Sequence, residues 1–263
     1  MKVQYVYPFI SDDDMMYIPS PYLIINAVTE SMLNRITFQD NKLRRTIGKE
    51  VIESYLYDII SQLGTVTWIS PEIEYKIAKN KKLTSDVIAA EGNCVAFYDA
   101  KAITPSLKVR KFDEEEIEKD IGIYAEDVIQ IYHQIQNYLL GHFKLDKKYE
   151  KEKIYGIVVV LEDAVVSRKR VYVKAIELLR KEQGTVSEEI KNYIYSHIKV
   201  IPLRQIESMV LQNTSLLSEL ISQANKSEHW YDYNYASPTV KNGLIPMYED
   251  YTNALKAKVS AEI

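Results

Sequence analysis

Cysteine is almost missing from this chain. Cys94 stands alone among 263 residues, so no disulfide framework can form within it. The four histidines, His133, His142, His197 and His229, show no close paired spacing, and with a single thiol they exclude a structural zinc site built on Cys and His. Any metal is therefore expected on oxygen ligands. No apolar run approaches the ~18 residues of a membrane-spanning helix. Met1-Lys2-Val3-Gln4 is not followed by the apolar core of a secretory signal, so a cytoplasmic location without a membrane partner is expected. Internal repeats and low-complexity linkers are also missing, as are zinc-finger and helix-turn-helix signatures. The net charge of −4 argues against a generally basic nucleic-acid coat, although Lys42-Leu43-Arg44-Arg45, Lys108-Val109-Arg110-Lys111 and Arg168-Lys169-Arg170 form local basic clusters.

What remains is an ordinary globular composition, 46% hydrophobic and 27% charged, enough for one large domain with appendages or two small ones. Ser11-Asp12-Asp13-Asp14 and Pro19-Ser20-Pro21 read as turns, with a helix over 22–36 between them and the basic cluster at 42–45. The aspartates there are read as a solvated turn in preference to a metal cluster. From Lys49 to Leu63, Val51, Ile52, Tyr55, Leu56, Ile59, Ile60 and Leu63 recur at helical spacing up to Gly64. Thr65–Ile69 and Glu72–Ile77 read as strand segments broken at Pro71. Asp86–Ala90 and Cys94–Ile103 read as strands joined at Glu91-Gly92-Asn93.

A long helix follows over Asp113–Phe143, its acidic start suited to the positive end of the helix dipole. Ile117, Ile121, Tyr124, Val128, Tyr132, Ile135 and Leu139 form its apolar stripe. Ile154–Leu161 is a near-continuous apolar strand, as expected for burial on both faces of a mixed or parallel sheet. Ser167–Lys181 is a helix with a serine at its cap position, Ile198–Ile201 a short strand and Leu203–Ala224 a closing helix. Residues 227–263 are rich in tyrosine, which suits either packing back onto the domain or a partner surface.

The chemistry concentrates in the hairpin. Alternate residues of a strand share a face, so Asp99 and Lys101 project to one side, and Asp86, at the edge of the preceding strand, can lie opposite them. Two carboxylates converging with a main-chain carbonyl, that of Ala100, make a hard oxygen site suited to Mg²⁺, with Mn²⁺ as a substitute. Such an ion acidifies a water and neutralises charge at phosphorus, and a lysine beside it can orient that water. This is phosphodiester hydrolysis chemistry. The alternative is a structural ion pair, which is costly to bury for stability alone.

Ser85-Asp86, followed after an apolar strand by Asp99-Ala100-Lys101, resembles the signature of the PD-(D/E)XK nuclease superfamily, with serine in place of the proline. The resemblance covers roughly residues 44–224. It implies an α/β, restriction-endonuclease-like α-β-β-β-α-β core with a mixed central sheet flanked by helices. The corresponding divisions are an N-terminal segment 1–43 as a partner or DNA contact, a nuclease domain 44–226 and a C-terminal extension 227–263. The family often carries a glutamate on the first helix. Of Glu50 and Glu53, Glu53 falls at the flank of the apolar stripe at 100° per residue and is preferred, against its reading as a solvated acid. Gln134 and Tyr138 are similar to the Q-x-x-x-Y element of the branch that includes bacterial recombination exonucleases, which implies contact with a phosphate or base. The Asp-Ala-Lys-Ala start also looks like the cleavage domains of type IIS restriction enzymes, so the subfamily stays open.

The resemblance thus implies a Mg²⁺-dependent nuclease acting on nucleic acid, DNA ahead of RNA, in restriction or phage defence. Asp86, Asp99, Ala100 and Glu53 would serve the metal and Lys101 the nucleophile. A homodimer, or a larger complex with a recognition subunit, is the expected assembly. The alternative is a non-catalytic nucleic-acid-binding or assembly protein that keeps the fold.

Overall fold

The computed structural model describes residues 10–12, 15–17, 41–102, 105–106, 108–109, 112–161, 167–212, 214–215 and 217–218. The expected helix over 22–36, Asp13 and Asp14 of the acidic turn, Arg110 and Lys111 of one basic cluster, and the tyrosine-rich extension lie outside these residues. Ile10–Asp12 (β1) and Met15–Tyr17 (β2) pair antiparallel.

Both faces of the hairpin strands are apolar, so they must be covered on both sides. The central sheet has five strands, in the order β3 (Val66–Pro71), β6 (Val87–Glu91), β7 (Cys94–Lys101), β8 (Ile154–Val160) and β9 (Ile198–Pro202). The β3–β6 and β6–β7 pairs are antiparallel, whereas β7–β8 and β8–β9 are parallel. The sheet is therefore mixed, and helices cover both faces. On one face Val95, Phe97, Ile154 and Val158 pack against the long helix α3 (Glu114–Leu139), with α4 (Arg168–Gln183) and α5 (Glu188–His197) beside it. On the other, Ala96, Tyr98, Ile157 and Val159 meet α2 (Ser54–Ser61) and α6 (Leu203–Leu211). Excluding a short inserted hairpin, the order is the expected α-β-β-β-α-β.

The first helix is longer and less regular than its apolar spacing suggests. α1 (Asn41–Ile47), a π-helical stretch Gly48–Glu53 and α2 follow one another without leaving helical backbone angles. Gly48 gives a close approach to the hairpin, since a Cβ on it would sit 3.3 Å from the Ala102 Cβ just past the end of β7. The segment after Pro71 departs from expectation. Glu74–Ile77 (β4) does not continue the central sheet but turns back through Ala78 and Lys79 to pair with Asn80–Leu83 (β5) as a separate hairpin. Helix α5, which the sequence did not announce, is capped by the Ser187 side chain on the Ile190 N–H, whereas Ser167, at the cap position of α4, makes no side-chain cap bond. The closing helix α6 ends at Leu211, short of the expected span.

Helix α3 lies unusually close to β8. An added Cβ at Gly156 would sit 2.2 Å from Ile131 Cγ2, an atom on a β-branched side chain that cannot swing away within a helix. Gly156→Ala is therefore expected to destabilise the fold by about 1–3 kcal/mol through overpacking. A lowered urea midpoint at unchanged m-value would register this; an unchanged midpoint would show that α3 is free to lift.

Candidate active site

Strand alternation places Asp99 and Lys101 on the α3 side of the sheet, in line with Val95 and Phe97. Their side chains meet: Lys101 Nζ lies 2.7 Å from Asp99 Oδ2. Asp86 stands just before β6, whose register pairs Val87 with Tyr98, and its Oδ2 accepts a 2.6 Å hydrogen bond from the Ala100 N–H. The fold thus brings Asp86, Asp99, Ala100 and Lys101 together at one end of the hairpin. The turn at Gly92, with φ of 61°, lies at the other end.

Helix α3 adds two groups that sequence reasoning did not single out. Gln130 Oε1 accepts from Lys101 Nζ at 3.1 Å, and Asp127 Oδ1 lies 3.6 Å from the same nitrogen. Asp127 is buried among Tyr124, Ala125, Val128 and Ile131. An acid interrupting an apolar helix stripe was the available signal. Burial alone would lower the pKa of Lys101, but Asp99 and Asp127 outweigh it and hold the amine above its ordinary value. Lys101 is an ammonium here, suited to orienting and donating rather than to accepting a proton.

Glu53 ends the π-helical stretch and is half-buried, whereas Glu50 is exposed. Its carboxyl is pushed up by burial and by Glu72, and also feels Asp99 and Lys101, so it is the first-helix acid turned towards the hairpin. Glu72, just after β3, is raised by burial and by Asp99, with Lys49 opposing. Among the described residues, however, no three His, Cys, Asp or Glu side chains converge closely enough to hold a metal. Asp86, Asp99 and Glu53 therefore do not close into one cage of side chains.

Gln134 and Tyr138 are placed differently from the expected substrate contacts. Gln134 is buried, and its Oε1 accepts from the Ser85 hydroxyl. The Tyr138 hydroxyl donates to the Lys147 carbonyl at 3.4 Å and accepts from the Tyr149 N–H at 2.8 Å. Both face inward because their positions border the apolar stripe that packs on the sheet. Gln134 fixes the residue before Asp86; Tyr138 fixes the approach to β8. Lys108, from one of the basic clusters, pairs with Glu116 at the start of α3.

The site is rich in carboxyls and short of cations. Burial first, then Asp99, raises the Asp86 pKa to about 8, although the Ala100 N–H opposes this. Burial raises Asp127 to about 7 against the pull of Lys101. Asp99 is buried, and its Oδ2 meets the Lys101 ammonium at 2.7 Å. A buried carboxylate with one ammonium for a partner, beside a second, repelled carboxyl, is a donor set that would suit a divalent cation, with a main-chain carbonyl and water in the remaining positions.

The chain matches no family model and no curated protein. Among solved structures it is similar to the small subunit (R.BspD6I2) of the heterodimeric restriction endonuclease R.BspD6I. That similarity has 12% identity and a TM-score of 0.35, over 74% of this chain and 84% of that one. It is also similar to protein VC1899 from Vibrio cholerae, with 9% identity and a TM-score of 0.27, over 82% of this chain and 40% of that one. Among the described residues no helix is long and apolar enough to cross a membrane.

The raised carboxyls set a pH dependence. Folded Asp86 keeps its proton up to about pH 8, whereas the unfolded residue releases it near pH 4. Between these values the folded state binds the extra proton. The stability this represents is fully present below about pH 4 and is lost as pH rises through about 8, at about 1.4 kcal/mol per pH unit for one proton. In EDTA the melting temperature is expected to fall from pH 5 to pH 8, and Asp86→Asn, which keeps an acceptor for Ala100, to flatten the decline. A profile identical to wild type in that variant would remove Asp86 as its source.

Proposed function

We propose that the protein is a metal-dependent nuclease that hydrolyses phosphodiester bonds, with DNA ahead of RNA on the resemblance of its motif. The observation that carries this reading is the crowding of Asp86 and the buried Asp99 beside the single ammonium of Lys101 at the end of β7. Asp86, Asp99 and the Ala100 carbonyl would hold a Mg²⁺ or Mn²⁺ ion, which supplies charge neutralisation at a phosphate and a water of lowered pKa. Glu53 acts through water, since it does not close on the two aspartates. Lys101, kept cationic by its acidic neighbours, orients the attacking water or steadies the developing negative charge on the phosphate. Asp127 and Gln130 hold that ammonium in place. Cutting both strands of a duplex takes two such sites, so a homodimer or a complex with a recognition subunit belongs to this reading, as does a role in restriction or phage defence.

A second reading has one observation in its favour. Lys101 is clamped by Asp99, Asp127 and Gln130, as a purely structural lysine would be. The protein would then be a non-catalytic nucleic-acid-binding or assembly protein.

Incubation with supercoiled plasmid, linear duplex, single-stranded DNA and RNA in Mg²⁺, Mn²⁺ and EDTA separates the two. Metal-dependent cutting is expected, reduced ~10²-fold or more in Asp99→Ala and Lys101→Ala. Wild-type rates in both variants would sink the assignment, and failure to cut any substrate would favour the second reading.

A further inference from the structure

The β4–β5 hairpin takes no part in the chemistry above, yet its composition is unlike the rest of the chain. Residues 76–82 contain Lys76, Lys79, Lys81 and Lys82 and no acid, in a protein whose net charge is −4. All four lysines are exposed. The register sets Lys76 directly across from Lys81 on the outer face, with Tyr75 and Lys82 on the inner one. Like charges facing each other across a strand pair destabilise it. Glu74, 3.1 Å from Lys81, offsets one of them, and among the described residues Lys76, Lys79 and Lys82 have no ion-pair partner. At the tip, Ala78 adopts a φ of 54°, a left-handed conformation unfavourable for a residue with a Cβ. The left-handed residue is what a two-residue hairpin turn demands, but the facing lysines are a local cost that the pairing itself does not require.

Its placement says what they serve. The strands spring from Glu72-Ile73 on one side and run into Thr84-Ser85-Asp86 on the other, so the root of the hairpin is the edge of the candidate site. That root is fixed by the Thr84 N–H on the Ile73 carbonyl at 3.0 Å and by the Ile73 N–H on the Thr84 hydroxyl at 2.8 Å. Tyr75 ties the inner face to α3 through a 3.0 Å bond from Asn137, and to the segment after α3 through a ring contact with Phe143 at 4.8 Å. At ~3.3 Å per residue, Lys81 lies at most ~17 Å from Asp86, the span of about five nucleotide steps. The groove on the inner side contains Glu126 and Glu182 and does not suit an anion. In two basic segments elsewhere one cation is already paired, Lys108 with Glu116 and Arg170 with Glu114 and Glu118.

We propose that the outer face of this hairpin, with Lys76, Lys79 and Lys81, docks the phosphate backbone of the nucleic acid whose scissile bond lies at Asp86 and Asp99. The assignment rests on the nuclease reading for its substrate class, but its test needs no cutting. Anisotropy titrations of a fluorescein-labelled DNA duplex and of a single strand with the full chain, in EDTA and over a range of salt, give affinity and salt slope. The triple variant Lys76→Gln, Lys79→Gln, Lys81→Gln is expected to bind ~10-fold or more weakly, with the duplex slope reduced by about 2 to 3. The corresponding triple arginine variant retains both, and Lys153→Gln, at the opposite end of β8 from the site, changes neither appreciably. An unchanged affinity and slope in the glutamine triple, a loss no larger than that of Lys153→Gln, or a wild-type chain that binds neither probe would overturn the docking face. Binding lost in the glutamine triple by a protein that cuts nothing would keep the docking face and remove the nuclease. Cutting and binding untouched in the triple would do the reverse.

Discussion

One stripe of α3 holds the polar end of the sheet together. Asp127, Gln130, Gln134 and Asn137 follow one another at spacings of three and four, so they share a helix face. Asp127 and Gln130 meet Lys101, Gln134 meets Ser85 and Asn137 meets Tyr75 of the hairpin. A single rigid element thus sets the lysine, the residue before Asp86 and the inserted hairpin relative to one another. The stripe can do this only because the helix is pressed onto β8, and that closeness depends on the missing side chain at Gly156. A disturbance at that apolar contact would displace four polar contacts at once. The precision of the site is therefore a property of core packing as much as of its own hydrogen bonds.

The second constraint is electrostatic. Asp86, Asp99, Asp127, Glu53 and Glu72 surround one ammonium, that of Lys101, with Lys49 acting on Glu53 and Glu72 from the flank. Two like charges ~6 Å apart at an effective dielectric of ~20 repel by about 3 kcal/mol. A protein relieves such crowding by keeping carboxyls protonated, as the raised values of Asp86 and Asp127 show, or by taking up a cation. Proton and cation compete for the same oxygens of Asp86, because a carboxylate must lose its proton to become a ligand. The same excess of negative charge repels a phosphodiester from the pocket, so cations outside it must offset the approach of a polyanion.

Legibility in the sequence followed the range of the interactions. The β6–β7 pair was readable because alternation and a Glu-Gly-Asn turn are local, and β8 because a strand buried on both faces is apolar throughout. The β4–β5 hairpin was not: Asn80-Lys81-Lys82-Leu83 has neither alternation nor β-branched residues, and it pairs through backbone bonds and through the anchorage of Tyr75. Helix α5 was hidden because its Tyr193 and Ile194 lead straight into the apolar β9 with no intervening loop. The π-helical stretch leaves no trace in a 3.6-residue period, although the turned-in acid at its end is the one that period favoured. Asp127 was visible as an acid on an apolar face, but its partner is 26 residues away in sequence, and only the fold joins them.

The Gln134–Tyr138 pair shows that a local pattern on a helix face can also hold the fold together. The two residues do stack on one helix face, as i and i+4 must. Both are largely buried, with the amide and the hydroxyl bonded to protein groups, although Gln134 also lines the groove beside the hairpin and Tyr138 a second pocket. Buried polar groups need partners, and here these are Ser85 and the chain approaching β8. The consequence runs back to the chemistry. Gln134 holds Ser85, Ser85 precedes Asp86, and Asp86 clasps the Ala100 N–H, so a chain of short contacts links the helix to the backbone between Asp99 and Lys101. Loosening Gln134 would act on the candidate metal ligands through their positions and not through any contact of its own with substrate.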